Sequence, residues 1–449
     1  MADLLSIGRS GVKAYQGALS TIGENVTNAD TEGYARRNVV LKEQAAPHDP
    51  FSLNGTASLS GVKNSQVGRA WDQFRAASAW SATSDSSRAS TRSQYLSSLE
   101  SMLDNSDSGV GAKLTAVFTS ASQLSGNPTD VTLRQTMLSA IGDAAGVMRQ
   151  TSTSLSKMAD TVSSQANVMV GQVNDDLASL GKVNVALHSA AQGSSGLSQL
   201  EDQRDSLIGS ISKNVAVDVT LNSDGSASLK LNDPSGPTLL SADSTGSAYL
   251  MLRVAAGGLL SIDTEYKGTT TSTTPVGGTL SGLIDISATL VGRRQQLDSI
   301  ASDFTTAMNT WQAQGRTAAG TAGVPILSGT TAATMALTIT DPAQIAAADT
   351  SGNENGNLLA ISALRGSNGV EARWQSMINQ QALLVSSATT EESAAASRKN
   401  TALSSLDEVS GVDLDTEAAD LLRYQQAYQA SSKIIQTARS TLQSILDLF

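Results

Sequence analysis

Tyr424, Tyr428, Ser431, Ile435, Ala438, Leu442, Ile445 and Phe449 follow one another at alternating steps of four and three, as far as the last residue of the sequence. Side chains at that spacing line one seam of a helix, and such a seam leaves water only by lying against another helix. Gln425, Gln429, Ser432, Gln436, Arg439 and Gln443 form the opposite, polar face. The beginning of the chain repeats the pattern: Leu5, Gly8, Val12, Tyr15, Leu19, Ile22 and Val26 make a seam, with Ser6, Arg9, Lys13, Gln16 and Ser20 opposite. One amphipathic helix is therefore expected at each end. At 1.5 Å per residue the two would be about 33 Å and about 50 Å long, so pairing them with each other leaves apolar stripe uncovered. Neighbouring copies of the chain are the cover this surplus implies. Periodicity alone leaves a simple hairpin of the two helices within one chain open as well.

Composition narrows the function classes. A chain of 449 residues exceeds the roughly 250 to 300 at which single cores stop growing, so more than one unit is expected. A net charge of -11 argues against a phosphate-binding surface, and nucleic acid is not an expected partner. Without cysteine there are no disulfides, thiolate nucleophiles or cysteine-bound metals. Aromatic residues make up only 4% of a chain rich in Ala, Ser, Thr and Gln, which suits long, modestly apolar helices better than an aromatic-lined pocket. Residues 1–30 lack the apolar core of a standard export signal, and no apolar run is long enough to span a membrane.

Between the ends the spacing is helical from Gly61 to about Lys213. Val67, Trp71 and Phe74 share a face, as do Tyr95, Leu99 and Met102, and Leu155, Met158, Val162, Ala166, Met169 and Val173. At Val215 the period changes to two: Val215, Val217, Val219 and Leu221 precede a turn at Asn222-Ser223-Asp224-Gly225, then Leu229 and Leu231. Short strands are expected at 248–254 and 259–264, and an exposed loop at the Thr/Ser run 269–274. Helical spacing resumes with Leu290, Leu297, Ile300, Phe304, Met308 and Trp311 and returns around Trp374, Ile378 and Val385. The expected fold is mainly α with a small β insertion. Residues 1–62 and 405–449 form a terminal coiled-coil unit, 63–214 and 289–404 an elongated long-helix bundle, and 215–288 the β insertion.

Catalysis has no visible home. His48 sits in the turn-like "APHDP" and His188 on a helix; neither is placed to act as a catalytic base. Glu201 and Asp205 flank Arg204 in "LEDQRDSLI", where a solvated helical face with local ion pairs is a simpler reading than a carboxylate pair for glycoside cleavage. "NSDGS" lacks the glutamate that would complete a calcium loop and reads as a hairpin turn. Arg36-Arg37 and Arg293-Arg294 are basic pairs of the kind usually solvated or bridged locally, with subunit contact left open.

"IGENVTNADTEGYARRNV" at 22–39 sets Asn25, Asn28, Thr31, Gly33 and Tyr34 in the order N-x-x-N-x-x-T-x-G-Y. This resembles the N-terminal signature of the flagellar rod, hook and hook-associated axial proteins. "GVDLDTEAADLLRYQQAYQAS" looks like that family's closing helix in its hook-associated form, and "LEDQRDSLIGSIS", "GGTLSGLIDI" and "ITDPAQIAAA" are similar to segments of the same branch, in the same order. The resemblance implies a non-enzymatic subunit of the bacterial flagellum at the hook-filament junction, using no cofactor or metal. It also implies export, without a cleaved signal peptide, by the flagellar type III apparatus to an extracellular position. The partners implied are further copies of itself in a ring, the hook protein, a second junction protein (hook-associated protein 3) and through it flagellin, and a cytoplasmic export chaperone at the C-terminal helix. The assembly seam would comprise Leu5, Val12, Tyr15, Leu19, Ile22 and Val26 with Tyr424, Tyr428, Ile435, Ala438, Leu442, Ile445 and Phe449, lining an inner tube. Residues 25–34 would form the turn by which the chain leaves the terminal helix. Only about ten residues separate "GVPILSG" (323–329) from "ITDPAQ" (339–344), where better-known members carry a large outer β domain; that domain is expected to be absent or reduced to 215–288. A rod or hook protein, a peptidoglycan hydrolase with a cleft carboxyl of raised pKa, and a secreted coiled-coil binder are the rival readings.

Overall fold

The computed structural model describes residues 2–31, 33–45, 59–103, 106–243 and 246–447; His48 and Phe449 lie outside them. Helix α1 (Ala2–Thr27) opens the chain, and strands β1 (Arg37–Ala45) and β2 (Leu59–Arg69) follow as an antiparallel pair with Arg37 opposite Arg69 and Val39 opposite Val67. The helical spacing expected from Gly61 onward gives way here to a strand. The reason is the contact with α1: Gly61 (φ +100°) comes so close that an added Cβ would sit 2.0 Å from Ser10 Oγ, and the Val62 amide donates to that hydroxyl. Two register shifts along β1 blur the alternation a sequence reader would look for. The boundary expected at residue 62 therefore falls inside β2. Val67 lies in the strand, Trp71 in the connection and Phe74, 86% exposed, in the first turn of the next helix, so the three share no face.

The bundle is built from α2 (Gln73–Met102), α3 (Val110–Gly126), α4 (Val131–Ser189) and α5 (Ser195–Asn214). With 59 residues, α4 is about 88 Å long at 1.5 Å per residue and packs against α3, α5 and α6. Asp72 and Asp130 cap α2 and α4 by accepting from the amides of Arg75 and of Thr132 and Leu133. The small β unit follows as two three-stranded sheets, β3 (Val217–Leu221), β4 (Ala227–Leu231) and β5 (Thr238–Leu240), then β6 (Tyr249–Val254), β7 (Leu260–Tyr266) and β8 (Thr269–Thr273). The turn at 222–225 is the expected hairpin, with Gly225 at φ +87° and Val219 opposite Leu229. The Thr/Ser run expected as a loop is the exposed edge strand β8, a conformation its β-branched residues favour once β7 supplies a partner.

Helix α6 (Gly278–Gln314) begins ten residues before the expected end of the β unit; Leu280, Leu283, Ile284 and Ile286 of that stretch are buried in the bundle. The stretch from 323 to 344 is a short crossing that carries the paired strands β9 (Leu327–Ser328) and β10 (Ala336–Leu337). A short α7 (Gly356–Ala360) leads to α8 (Val370–Ser410), which returns antiparallel to α2, with Arg92 bridged to Glu391 and Gln381 donating to the Leu96 carbonyl. One continuous apolar core links Leu99, Leu155, Met158, Val162, Leu297, Phe304, Trp311 and Trp374. Towards the end of α2 Leu96 and Leu99 are buried, as is Leu103 just after it, whereas Met102, expected on the same face, is 38% exposed. Helix α9 (Leu414–Leu446), capped by Asp413, runs back along α1. The chain is thus mainly α with a small β insertion.

Candidate functional site

The two ends of the chain meet as an antiparallel pair. Asn25 faces Glu417, Tyr15 and Tyr424 lie with ring centroids 6.1 Å apart, and Gly8 and Gly11 face Ile435 and Ser431. The pair closes on its smallest side chains. A Cβ at Gly11 would lie 2.5 Å from Ser431 Oγ, one at Gly8 2.7 Å from Ile435 Cγ1, and Ala14, Ala18, Ile22 and Ala438 are buried alongside. Of the other seam residues read from the sequence, Leu5, Val12, Tyr15, Leu19, Tyr424, Tyr428 and Ile435 are half-buried at the sides of this contact, while Val26 is 44% exposed. In this register α9 outruns α1. Leu442, Ile445 and Leu446, past the contact of Ile435 with Gly8, are 36%, 42% and 63% exposed.

The signature residues lock the pair where it leaves the bundle. Asn25 is 1% exposed and all its hydrogen-bonding capacity is used inward. Its Nδ2 donates to the Arg37 carbonyl (2.9 Å) and to Glu417 Oε2 (3.1 Å), and its Oδ1 accepts from the Tyr34 hydroxyl (2.8 Å) and the Arg37 amide (2.9 Å). An amide is the side chain that both donates and accepts at this spacing, which accounts for asparagine here. Burial, together with Glu24, Asp202 and Glu417 and against the pull of Arg37, pushes the Tyr34 pKa up to about 12, so its hydroxyl keeps the proton it donates. Asn28 and Thr31 build the intervening turns: the Thr31 amide donates to the Asn28 carbonyl and the Tyr34 amide to that of Thr31, while Gly33 takes a left-handed φ of +80°.

Arg36 and Arg37 have long-range partners, contrary to the local bridging expected. Arg36 Nε reaches Glu417 Oε1 on α9 at 2.6 Å, and Arg37 bridges Glu24 of α1 (2.9 Å) and Asp202 of α5 (3.2 Å). "LEDQRD" is likewise no solvated face. Arg69 Nε lies 2.8 Å from Asp202 Oδ1 and its Nη2 2.8 Å from Asp205 Oδ2, while Asp205 also holds Arg204 at 2.7 Å. Trp71 sits under both the Arg69 and Arg204 guanidiniums, 5.8 and 5.6 Å from its ring centroid. Burial pushes the Glu201 and Asp202 carboxyls up, with Arg69 opposing it at both. A hydrolase would also show raised carboxyls, but these two stand in an ion-pair cluster of the kind that ties elements together. Glu417, Arg36, Arg69, Asp202 and Asp205 escaped the sequence reading of the terminal unit because their partners lie far away in the chain, up to 392 residues for Glu417 and Asn25.

The remaining polar candidates are structural. His188 Nδ1 lies 2.5 Å from Asp224 Oδ2 and its Nε2 faces the Ala242 carbonyl, fastening the end of α4 to the β3–β4 turn. Arg293 bonds Gln296, Gln380 and Gln381 within the bundle, and Arg294 the Gly257 carbonyl.

A long helical bundle that carries its own two ends as a locked, apolar-tipped pair defines a structural subunit of a larger assembly. The profile of the flagellar hook-associated protein FlgK helical domain matches residues 96–327, more than half of the chain, and that of the flagellar basal body rod FlgEFG protein C-terminal region matches 404–448. The chain belongs to the flagellar hook-associated protein FlgK family, a family of structural proteins of the flagellum and not of enzymes. Flagellar hook-associated protein 1 of Salmonella typhimurium is 28% identical over 348 residues, covering 73% of this chain and 60% of that protein, so the chain spans about 60% of the length of that relative. The protein of the same name from Bacillus subtilis is 26% identical over 499 aligned positions, covering 99% and 97%. The flagellar hook junction protein FlgK from Burkholderia pseudomallei shares the fold, with a TM-score of 0.66 at 15% identity over 74% of this chain and all of that one.

Proposed function

We propose that the chain is a structural subunit of the zone joining flagellar hook to filament, added by packing the tip of its terminal helix pair against neighbouring copies. The observation that carries this reading is the overhang of α9: Leu442, Ile445 and Leu446 extend past α1 as an exposed apolar tip on a pair whose other end is locked by Asn25 and Glu417. Contiguous apolar surface on a soluble chain marks an interaction site. Leu5, Val12 and Leu19, half-buried on α1, and the exposed Val26 add apolar surface along the pair.

On this reading the terminal unit faces the axis, the bundle surrounds it, and the β unit at 217–273 lies outside as a reduced outer layer. The partners are further copies in a ring, the hook protein below, a second junction protein above and flagellin beyond it, with an export chaperone masking α9 before secretion by the type III apparatus. A rod or hook protein is the second reading, supported by the rod-type closing segment at 404–448; the helical-domain match over 96–327 favours the junction.

The test is to incubate purified protein with isolated hooks, beside a version ending at Asp413, and to count decorated ends by electron microscopy. The full chain should add a short zone at the distal hook tip and the truncation none. Binding by neither, or by both alike, would sink the reading.

A further inference from the structure

Where the terminal unit meets the bundle, the hairpin base presents two arginines directly opposite each other, Arg37 on β1 and Arg69 on β2. Like charges directly opposed across a strand pair repel. Here they are held together by a third element: the Asp202 carboxylate of α5 stands between them, 3.2 Å from Arg37 Nη2 and 2.8 Å from Arg69 Nε. Around this core Asp205 takes the far side of Arg69, Glu24 the far side of Arg37, and Glu201 approaches Arg69 at 3.9 Å. Arg37, Arg69, Asp202 and Asp205 are each at most 13% exposed in their side chains.

The geometry is poor for stability. Arg69 Nε and Asp202 Oδ1 are close, yet neither atom completes a hydrogen bond, and Arg37 Nε is buried without one. Buried ion pairs with incomplete hydrogen bonding seldom repay their desolvation, and replacement of the pair by well-packed apolar residues of similar volume is often as stable. Removal of one member is different, because it leaves a buried charge without its partner. Burial raises the Asp202 and Glu201 carboxyls, which agrees with charges held in place at a cost.

What the cluster does supply is direction. The hairpin rests on α1 through Gly61 and Ser10, so whatever fixes the hairpin on α5 fixes the terminal helix pair relative to the bundle. We infer that Arg37, Asp202 and Arg69 form an orientation key: they set the angle between the terminal helix pair and the bundle, and contribute little to folding stability as a set. The positioning residue at its centre is Asp202. The purpose of a fixed angle, presenting the apolar tip to a neighbouring copy, rests on the junction reading, but the key itself is a property of the isolated chain.

The sequence has no cysteine, so spin labels can be placed without altering native residues elsewhere. Labels at Lys433→Cys on α9 and Lys157→Cys on α4 report the angle by double electron-electron resonance, and the thermal midpoint reports stability. The parent chain should give a narrow distance distribution. Asp202→Asn alone should broaden it and lower the midpoint by several degrees. The triple variant Arg37→Met, Arg69→Met, Asp202→Leu, in which Asp205 keeps Arg204, should have a midpoint above that of the single variant while the distribution stays broad. A narrow distribution in the triple variant, a midpoint below that of the single variant, or a broad distribution in the parent would each overturn the inference. None of these readings depends on hook binding, so a chain that fails to add to hooks yet behaves as expected here refutes the junction role and leaves the key standing.

Discussion

Glu417 is the residue on which the locked end of the terminal pair should depend most. Its carboxylate is 1% exposed and accepts from Arg36 Nε at 2.6 Å and from Asn25 Nδ2 at 3.1 Å. Replacement by alanine removes two hydrogen bonds accepted by a carboxylate, each worth about 1.5–3 kcal/mol. Breaking a fully buried pair can cost about 3–5 kcal/mol. Two features moderate that here: the Arg36 side chain is 23% exposed and keeps Asp420 at 3.8 Å, and Asn25 Nδ2 keeps the Arg37 carbonyl. The expected loss is therefore about 2–3 kcal/mol, confined to the terminal unit. At 1.4 kcal/mol per factor of ten, that corresponds to roughly 30- to 150-fold easier opening of α1 from α9. Hydrogen exchange followed by mass spectrometry reads it directly: amides of α1 and of the first half of α9 should exchange faster by that factor, and those of α4 and α6 should not change. Glu417→Gln, which keeps the shape and an acceptor, should fall between parent and Glu417→Ala. Exchange in α1 within about threefold of the parent in both variants would refute the assignment of the lock to this residue.

Asn25→Asp should loosen the same amides more than Asn25→Ala, because the new carboxylate faces Glu417 at the position where the amide donates. Gly8→Val should separate the pair, since a Cβ there already lies 3.2 Å from the Ser431 carbonyl, and overpacking of this kind costs about 1–3 kcal/mol; near-normal protection of α9 would count against the small-residue contact. Leu442→Asp and Ile445→Asp should leave the thermal midpoint of the free chain unchanged, as both sites are exposed, and should abolish addition to hook tips counted by electron microscopy. The pH dependence of the hairpin base has a definite sign. Burial raises Glu201 and Asp202 in the folded state, facing Arg37 of β1, Arg69 of β2 and Arg204 and Asp205 of α5, with Glu24 of α1 beyond Arg37. Their contribution to stability is fully present below the ordinary carboxylate pKa of about 4 and is lost as pH rises through the raised values. Protection of residues 37–45, corrected for intrinsic exchange, should thus be greater in mildly acid than in neutral buffer.

The long helices and the β3–β4 hairpin were legible because their signals are local: period 3.6 through Leu155, Met158, Val162 and Ala166, then period two into Asp224-Gly225. The pairing of the ends was legible as periodicity, but not its packing. Large apolar residues mark a seam in sequence, whereas the two helices approach on Gly8 and Gly11, which permit closer contact. The β1–β2 hairpin was hidden because its strands carry Lys, Asn, Gln and Gly and owe their conformation to each other and to α1. Of the site, the signature asparagine and tyrosine stood out, but their counterparts did not. Nothing near Glu417 announces a partner 392 residues away, and an acidic run such as 201–205 has the same pattern whether it faces water or two arginines.

On the proposed reading the terminal helix pair is the assembling element, with its α9 tip against a neighbouring copy. Electron cryomicroscopy of hooks carrying a zone of added chain tests it most directly. In that zone α1 and α9 should form the innermost layer as the antiparallel pair described, with Leu442, Ile445 and Leu446 buried against the next subunit. A zone in which the bundle helices line the axis, or in which residues 442–446 remain in solvent, would contradict it.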